Sequence, residues 1–424
     1  MKRKLTYLLL LALVMSLSTA VFAKEKINKD KAVEIALNQN SEIQKMQREI
    51  AKTKAQLEEA GGAFYPSLDF ETSYTRSKEP AQLTRSRDSY RASLNLTQPI
   101  FLGGELRLSY RMMKKRLEIS QLKLEQKKEE ITYQVLEEYY NLLKAKQMLK
   151  VRRQQVKQNQ RYVEVAKANK EVGTHTKTDL LQAKVSYNQA QQAKLTAENN
   201  LARAKLSLKN TLNLAKEEKV KITDSLKWSE QEFTLAQAYD YALNNKAALK
   251  LLTIQKNTAQ LDLKRAQNSD LYPDINLSAG YETNDDRWRI DDGNWQATLS
   301  LSYNIFDGGQ SKDQIKQKKE ELKRVKIEQK EAKDDIKVAI ESALLNLRAA
   351  KDRIKLSKLN LSQAEENLSN NEVKFNEGLI TSLDLLNVQT TYQQVKTEYY
   401  QAIYDYNLAV AEINKAIGKI EEVN

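Results

Sequence analysis

From Trp295 to Ile305 the chain alternates between apolar and uncharged polar residues. Trp295, Ala297, Leu299, Leu301, Tyr303 and Ile305 fall on one side, and Gln296, Thr298, Ser300, Ser302 and Asn304 on the other. Successive side chains of a strand point to opposite faces, so the pattern predicts a strand with one apolar and one polar, uncharged face. Phe306-Asp307-Gly308-Gly309 follows, and then no Gly or Pro until Gly378. The same arrangement occurs earlier. Tyr90, Ala92, Leu94, Leu96 and Ile100 alternate with Arg91, Ser93, Asn95 and Thr97, Phe101-Leu102-Gly103-Gly104 follows, and the next Gly or Pro is Gly173.

The two stretches belong to a duplication. At a spacing of 205, Ile100 matches Ile305, Phe101 matches Phe306 and Gly103-Gly104 matches Gly308-Gly309. At the same spacing Gly173 matches Gly378, Asp179-Leu180-Leu181 matches Asp384-Leu385-Leu386, and Tyr187 matches Tyr392. Ala36-Leu37-Asn38 matches Ala242-Leu243-Asn244 at 206, and Tyr65-Pro66 matches Tyr272-Pro273 at 207. Near-constant offsets over so much of the chain mark an internal repeat. Each copy reads helix, strand, loop, strand, long helix, tight turn, helix.

The first repeat is placed at 24–211, with strands over about 64–75 and 89–100, a long helix over about 104–172 and a return helix over about 178–211. The second is placed at 234–424, with strands over about 272–282 and 294–306, a long helix over about 309–377 and a return helix over about 381–417. Pro66 and Pro273 sit at strand starts, where a missing N–H is tolerated. Strands of about ten residues suit a tilted membrane crossing. Tyr74, Tyr90, Tyr281, Trp288 and Trp295 gather at the loop ends, as an interfacial girdle does. Four strands cannot close a barrel, which needs about eight or more, and an open edge in lipid leaves backbone groups unpaired. If these strands cross a membrane rather than forming a half-buried hairpin of a soluble domain, several chains have to share one barrel.

The long helices carry apolar residues every seven positions: Leu117, Leu124 and Ile131, then Val135, Leu142, Leu149, Val156 and Val163. The second copy shows Ile340, Leu347, Ile354, Leu361, Leu368 and Phe375, and its return helix Tyr392, Tyr399, Tyr406 and Ile413. This period specifies coiled-coil packing. An unbroken helix from Gly104 to Gly173 would reach about 100 Å, carrying the tip turns far from the strands. Gly173 and Gly378 suit helix C-terminal positions, and Asp179 and Asp384, just after Thr or Ser, suit the first turns of new helices.

Composition narrows the function classes. Lys2, Arg3 and Lys4, an apolar run from Leu5 to Leu17, and Val21-Phe22-Ala23 read as a secretory signal over residues 1–23. No later segment approaches the apolar length of a transmembrane helix. With no Cys and one His, His175, the chain offers almost nothing to a transition metal, and neither metal nor cofactor is expected. His175 reads as an exposed tip residue. The net charge of +13 falls to +10 without the signal, and basic residues are spread among acids along the helices, so a nucleic-acid partner is not expected. Walker, Gly-x-Ser-x-Gly and His-Glu-x-x-His patterns are all missing, so the chain does not read as an enzyme. A periplasmic coiled-coil scaffold or adaptor with a soluble β-domain is the alternative class.

Taken together, the duplicated hairpin-plus-long-helix order, the Phe-x-Gly-Gly junctions and the paired tips ending in Asp-Leu-Leu resemble the TolC family of outer-membrane efflux proteins. The resemblance implies a mainly α protein with a transmembrane β-barrel portion: a homotrimer with a shared twelve-strand barrel in outer-membrane lipid and a periplasmic coiled-coil tunnel. It implies an equatorial segment over 212–233. It also implies an exit duct of a tripartite efflux or type I secretion system, working with an inner-membrane pump and a periplasmic adaptor. Residue by residue, the carboxylate ring at the tunnel entrance falls on Asp384, with Asn387 in place of its charged companion, and the helix-linking residue falls on Asp179. The tyrosine and arginine of the family's gate fall on Phe375 and Ile380, a departure from the family's gating network that leaves the means of closure open, with packing of these two residues able to replace its polar links. Val172, Gly173, Thr174, Glu377, Gly378 and Leu379 fall at the tips that meet the adaptor.

Overall fold

The computed structural model describes residues 26–78, 87–173, 176–215, 221–289 and 293–419. The expected signal over 1–23 lies outside the described residues, as do Thr174 and His175 at the first tip. In order, the elements are β1 (Lys26–Ile27), α1 (Lys29–Gln39), α2 (Ser41–Gly62), β2 (Ser67–Arg76), β3 (Asp88–Leu102), α3 (Glu105–Glu171), α4 (Lys177–Thr211), β4 (Lys221–Ile222), α5 (Leu235–Asn245), α6 (Ala247–Leu271), β5 (Asp274–Asp285), β6 (Asn294–Ser302), α7 (Gln310–Asn376) and α8 (Ser382–Ile417). The chain is mostly helical, and α3 and α7 are each 67 residues long. It divides into two compact units, and both repeats contribute to each. One comprises Met1–Ile43, Lys128–Ala242 and Val338–Asn424, the other Gln44–Lys127 and Leu243–Lys337.

The second unit contains an antiparallel sheet of order β2-β3-β5-β6. The polar–apolar alternation sets its faces: Leu299 opposes Leu277 and Leu301 opposes Ile275, while Ser300 opposes Asn276 and Thr298 opposes Ser278. The strand-end aromatics do gather. Tyr74 and Tyr90 rings lie 5.0 Å apart, Tyr90 and Trp288 6.3 Å, and Trp295 sits opposite Tyr281.

β2 runs over Ser67–Arg76 and β5 over Asp274–Asp285, against expected spans of about 64–75 and 272–282, and two further strand ends differ from the sequence pattern for a common reason. The alternation runs on to Ile305, yet β6 stops at Ser302, because its partner β5 begins at Asp274, directly after Pro273, and leaves nothing opposite Tyr303. β3 instead runs on to Leu102, because its other edge is paired: Phe101 meets Ile275 and Leu102 meets Asp274, after a bulge between Pro99 and Phe101. Strand ends thus follow the available partner rather than the alternation alone.

Strand-to-helix turns need backbone that only glycine takes readily. Gly103 and Gly104 have φ of 57° and 80°, Gly308 and Gly309 of 70° and 91°. A Cβ on Gly103 would approach the Asn268 carbonyl to 3.2 Å, and Asn268 Nδ2 donates to the Gly103 carbonyl at 2.8 Å. At the second junction Asp307 takes over: its carboxylate accepts from the N–H of Gly309 at 2.8 Å and of Ser311 at 2.7 Å, capping α7.

The first unit buries the sevenfold stripe. Ile131, Val135, Leu142 and Leu149 of α3, Ile340, Leu347, Ile354 and Leu368 of α7, and Tyr392, Tyr406 and Ile413 of α8 are all buried. The parallel pair β1–β4 lies beside Tyr139, whose hydroxyl donates to Asp224 at 2.7 Å. The described part of the 212–233 segment is tied to α8: the Gln231 N–H donates to the Tyr406 hydroxyl at 2.9 Å, and Trp228 packs edge-on against the Tyr406 ring.

Candidate functional site

The two tips, both in the first unit, bring together many of the residues singled out in the sequence. α3 and α7 end in left-handed glycines, Gly173 with φ of 82° and Gly378 with φ of 73°. At the second tip the Leu379 N–H donates to the Lys374 carbonyl at 2.8 Å and the Gly378 N–H to the Phe375 carbonyl at 3.0 Å, the paired bonds that close a helix on a left-handed glycine. The apolar tip residues Val172 and Leu379 are 74% and 69% exposed.

Asp179 and Asp384 play matched local roles. Thr176 and Thr381 are the N-caps of α4 and α8, and each exchanges bonds with the aspartate three residues on. Asp384 Oδ2 accepts from the Thr381 N–H at 3.0 Å and from its hydroxyl at 2.6 Å, while the Thr381 hydroxyl accepts from the Asp384 N–H at 3.2 Å. Asp179 makes the same three bonds with Thr176. These bonds, led by the Thr381 hydroxyl, hold the Asp384 carboxyl below the usual aspartate range. Both aspartates also sit in the first turn, where the helix N-terminus favours negative charge. Asn387, one turn on, shares the exposed side of α8 with Asp384.

Phe375 and Ile380 lie with apolar neighbours. They are partly buried against a cluster of Tyr162, Ala166, Ala183, Leu368, Leu385 and Leu386. The Tyr162 and Phe375 rings are 5.6 Å apart. Burial pushes the Tyr162 phenol up, and the nearby Asp179 charge adds to the effect.

The sequence reading missed an uncharged polar layer beside this cluster. Gln393 Nε2 donates to Gln158 Oε1 at 3.2 Å, and Asn159 Nδ2 to the Ser186 carbonyl at 2.9 Å. A cavity of ≈ 360 Å³ is lined by these residues with Gln389 and Asn387. Its signal was the density of Gln, Asn, Ser and Thr around Tyr187 and Tyr392, which periodicity alone treats as surface.

A family model described as outer membrane efflux protein matches residues 32–214 and 238–419. The chain is 24% identical over 262 residues to the outer membrane efflux protein BepC of Brucella suis biovar 1 (strain 1330), covering 61% of this chain. That match spans 56% of the relative's length, a little over half of it. Among solved structures, CusC superposes with a TM-score of 0.80 at 14% identity, covering 93% of this chain and 95% of its own. The Campylobacter jejuni CmeC outer membrane channel gives 0.80 at 16% identity, with coverages of 96% and 92%. The Neisseria gonorrhoeae MtrE outer membrane channel in its open state gives 0.79 at 16%, with 92% and 88%. The fold is therefore that of outer-membrane channels, with a helical tunnel and a β-barrel.

Proposed function

The chain belongs to the outer membrane efflux protein family, and on that premise we propose that it is the outer-membrane exit duct of a tripartite efflux or type I secretion system. It works as a homotrimer with a periplasmic adaptor and an inner-membrane pump, passing substrates to the exterior. Three copies of the sheet make one barrel in outer-membrane lipid, and the helices of the repeats over 24–211 and 234–424 make the periplasmic tunnel, with 212–233 at its equator. One observation carries this reading. The sheet has open edges at β2 and β6, both exposed along their whole length, with Leu68, Phe70, Leu299 and Leu301 turned outward. Such a surface is unstable as a free sheet in water or in lipid, and it is satisfied when copies close a barrel.

At the tips, Asp179 and Asp384 give the entrance its charge, neutral Asn387 lies beside Asp384, and Phe375 and Ile380 close the entrance by packing. Val172, Gly173, Thr174, Glu377, Gly378 and Leu379 meet the adaptor. The test is the mass of the full chain extracted from membranes. A detergent-requiring trimer is expected; release by salt wash, or a stable folded monomer in detergent, overturns the reading.

A further inference from the structure

The duplication acts as a geometric operation within the sheet, and the chain itself checks it. Adding 207 to a β2 residue and 205 to its β3 partner converts each β5–β6 pair's counterpart into that pair. Ser67 opposite Thr97 becomes Asp274 opposite Ser302, Phe70 opposite Leu94 becomes Leu277 opposite Leu299, and Thr75 opposite Ser89 becomes Glu282 opposite Asn294. The two hairpins therefore share one register throughout their common length.

The junction between hairpins, β3 against β5, occurs once in the chain, and its counterpart under the same operation is the open edge of β6 against the open edge of β2. From this we infer the register in which two copies join, resting on the shared-barrel reading above. Asn95 opposite Gly280 becomes Ser300 opposite Ser73 of a second copy, and Leu96 opposite Ala279 becomes Leu301 opposite Thr72. Gln98 opposite Leu277 becomes Tyr303 opposite Phe70, and after the bulge Phe101 opposite Ile275 becomes Phe306 opposite Leu68. β6 thus continues past Ser302 once a second copy supplies a partner, and Ile305 becomes the bulged residue, as Ile100 is in β3.

Nothing in the operation requires the faces to agree, yet they do. Leu299 meets Tyr74, Leu301 meets Thr72 and Tyr303 meets Phe70 on one face. Thr298 meets Thr75, Ser300 meets Ser73 and Ser302 meets Glu71 on the other. A slip of one residue would place every apolar residue of β6 beside the polar face of β2. The contact is head-to-tail, the kind that closes into a ring when the rotation permits.

The helices of the first unit supply a separate observation. Within the chain Gln158 of α3 bonds Gln393 of α8. At the 205 offset these positions become Gln363 of α7 and Asn188 of α4, both polar and both exposed. α7 also exposes Val338, Leu345, Leu359 and Val373, spaced by multiples of seven with Asp352 and Glu366 at the intervening positions, and α4 exposes Leu181, Val185, Leu195 and Leu206. The α7 face of one copy therefore meets the α4 face of the next.

The chain has no cysteine, so introduced pairs are the only thiols. Directly opposite strand residues have Cα atoms about 4.5–5.5 Å apart, within disulfide reach, while positions shifted by two lie about 7–8 Å away. Full-length chain carrying Ser300→Cys with Ser73→Cys, or Leu301→Cys with Thr72→Cys, is oxidised in membranes and run without reductant. Disulfide-linked trimer is expected, several-fold above the shifted pairs Ser300→Cys with Glu71→Cys or Thr75→Cys. Stronger linking of a shifted pair overturns the register. Gln363→Cys with Asn188→Cys, bridged by a short bifunctional thiol reagent, tests the same joining outside the barrel should the strand variants fail to insert; no product there overturns it. The mass of the unmodified chain separates the causes. No linked product from a chain that is trimeric refutes the register alone, while a monomer refutes the duct reading with it.

Discussion

The rings of Tyr162 on α3 and Phe375 on α7 stand 5.6 Å apart with planes inclined at 50°, tying the two long helices together next to their tips. Phe375 also packs against the cluster that contains Leu385 and Leu386. Truncating a fully buried Phe costs about 3–5 kcal/mol, and for this half-buried ring we expect roughly 1–3 kcal/mol for Phe375→Ala. Hydrogen exchange at the start of α8 should speed up accordingly. If the ring helps close the entrance, single-channel conductance rises in the same variant. Unchanged exchange and unchanged conductance together would remove Phe375 from both roles.

Asp384 separates charge from capping. If Asp384 lines the entrance, as proposed, a trimer places three carboxylates there, and a narrow negative ring favours cations and their multivalent blockers. Asp384→Ala should weaken cation preference and multivalent block in planar bilayers while the trimer persists. Thr381→Ala removes the cap yet keeps the charge, so it should cost about 1 kcal/mol of local helix stability and leave selectivity in place. Equal selectivity in Asp384→Ala and the unmodified chain would leave the aspartate as a helix cap alone.

The capping bonds also set a pH dependence. The Asp384 carboxyl titrates lower in the folded chain than in the unfolded one, so the stability it lends is fully present above the ordinary aspartate value of about 3.9. That contribution is lost as pH falls through the depressed folded value. Protease nicking between Gly378 and Asp384 should therefore be constant from neutral pH to about 4 and rise below it. Asp384→Asn should flatten this acid limb.

The strand faces are tested by charge. Arg at Leu299 or Leu301 should cost about 2–4 kcal/mol if the site lies near the bilayer midplane, and Arg at Ser300 much less. Yield of detergent-stable trimer in the outer membrane reads the difference. Equal loss at Ser300 and Leu301 would refute the assignment of Leu299, Leu301 and Tyr303 to lipid and of Thr298, Ser300 and Ser302 to the lumen.

Tyr139 is buried and donates to Asp224, which also accepts from the Lys29 N–H at 3.2 Å. Burial, reinforced by the bond to Asp224, pushes its phenol well up, so the hydroxyl stays protonated and donating at any physiological pH. Tyr139→Phe should cost about 1.5–3 kcal/mol, the usual range for a hydrogen bond to a charged group. A lowered thermal midpoint with retained trimer mass is the expected result; an unchanged midpoint would show that solvent takes over the bond.

Much of this was legible in the residues because it is periodic or positional. A period of two marked the strands, a period of seven marked the buried stripe from Ile131 to Leu149 and from Ile340 to Leu368, and the glycines at Gly173 and Gly378 marked the turns. Each signal rests on one residue type tolerating one local geometry. The uncharged layer of Gln158, Asn159 and Gln393 was not legible in this way. An amide is compatible with either a solvated face or a bonded interior, and only the partner across the helix contact decides which.

The same distinction separates the two strand ends. Alternation in the sequence determined which side chains of β6 share a face, since that follows from the pleat of any strand. Where β6 stops was decided by tertiary structure, because a strand is completed by backbone bonds to a neighbour, and Pro273 ends the neighbour opposite Ser302. The sequence likewise determined that there are two hairpins of one design. That they share one register, and that β3 rather than β2 meets β5, emerged only when the chain was folded, because pairing between distant strands depends on which edges the helices bring side by side.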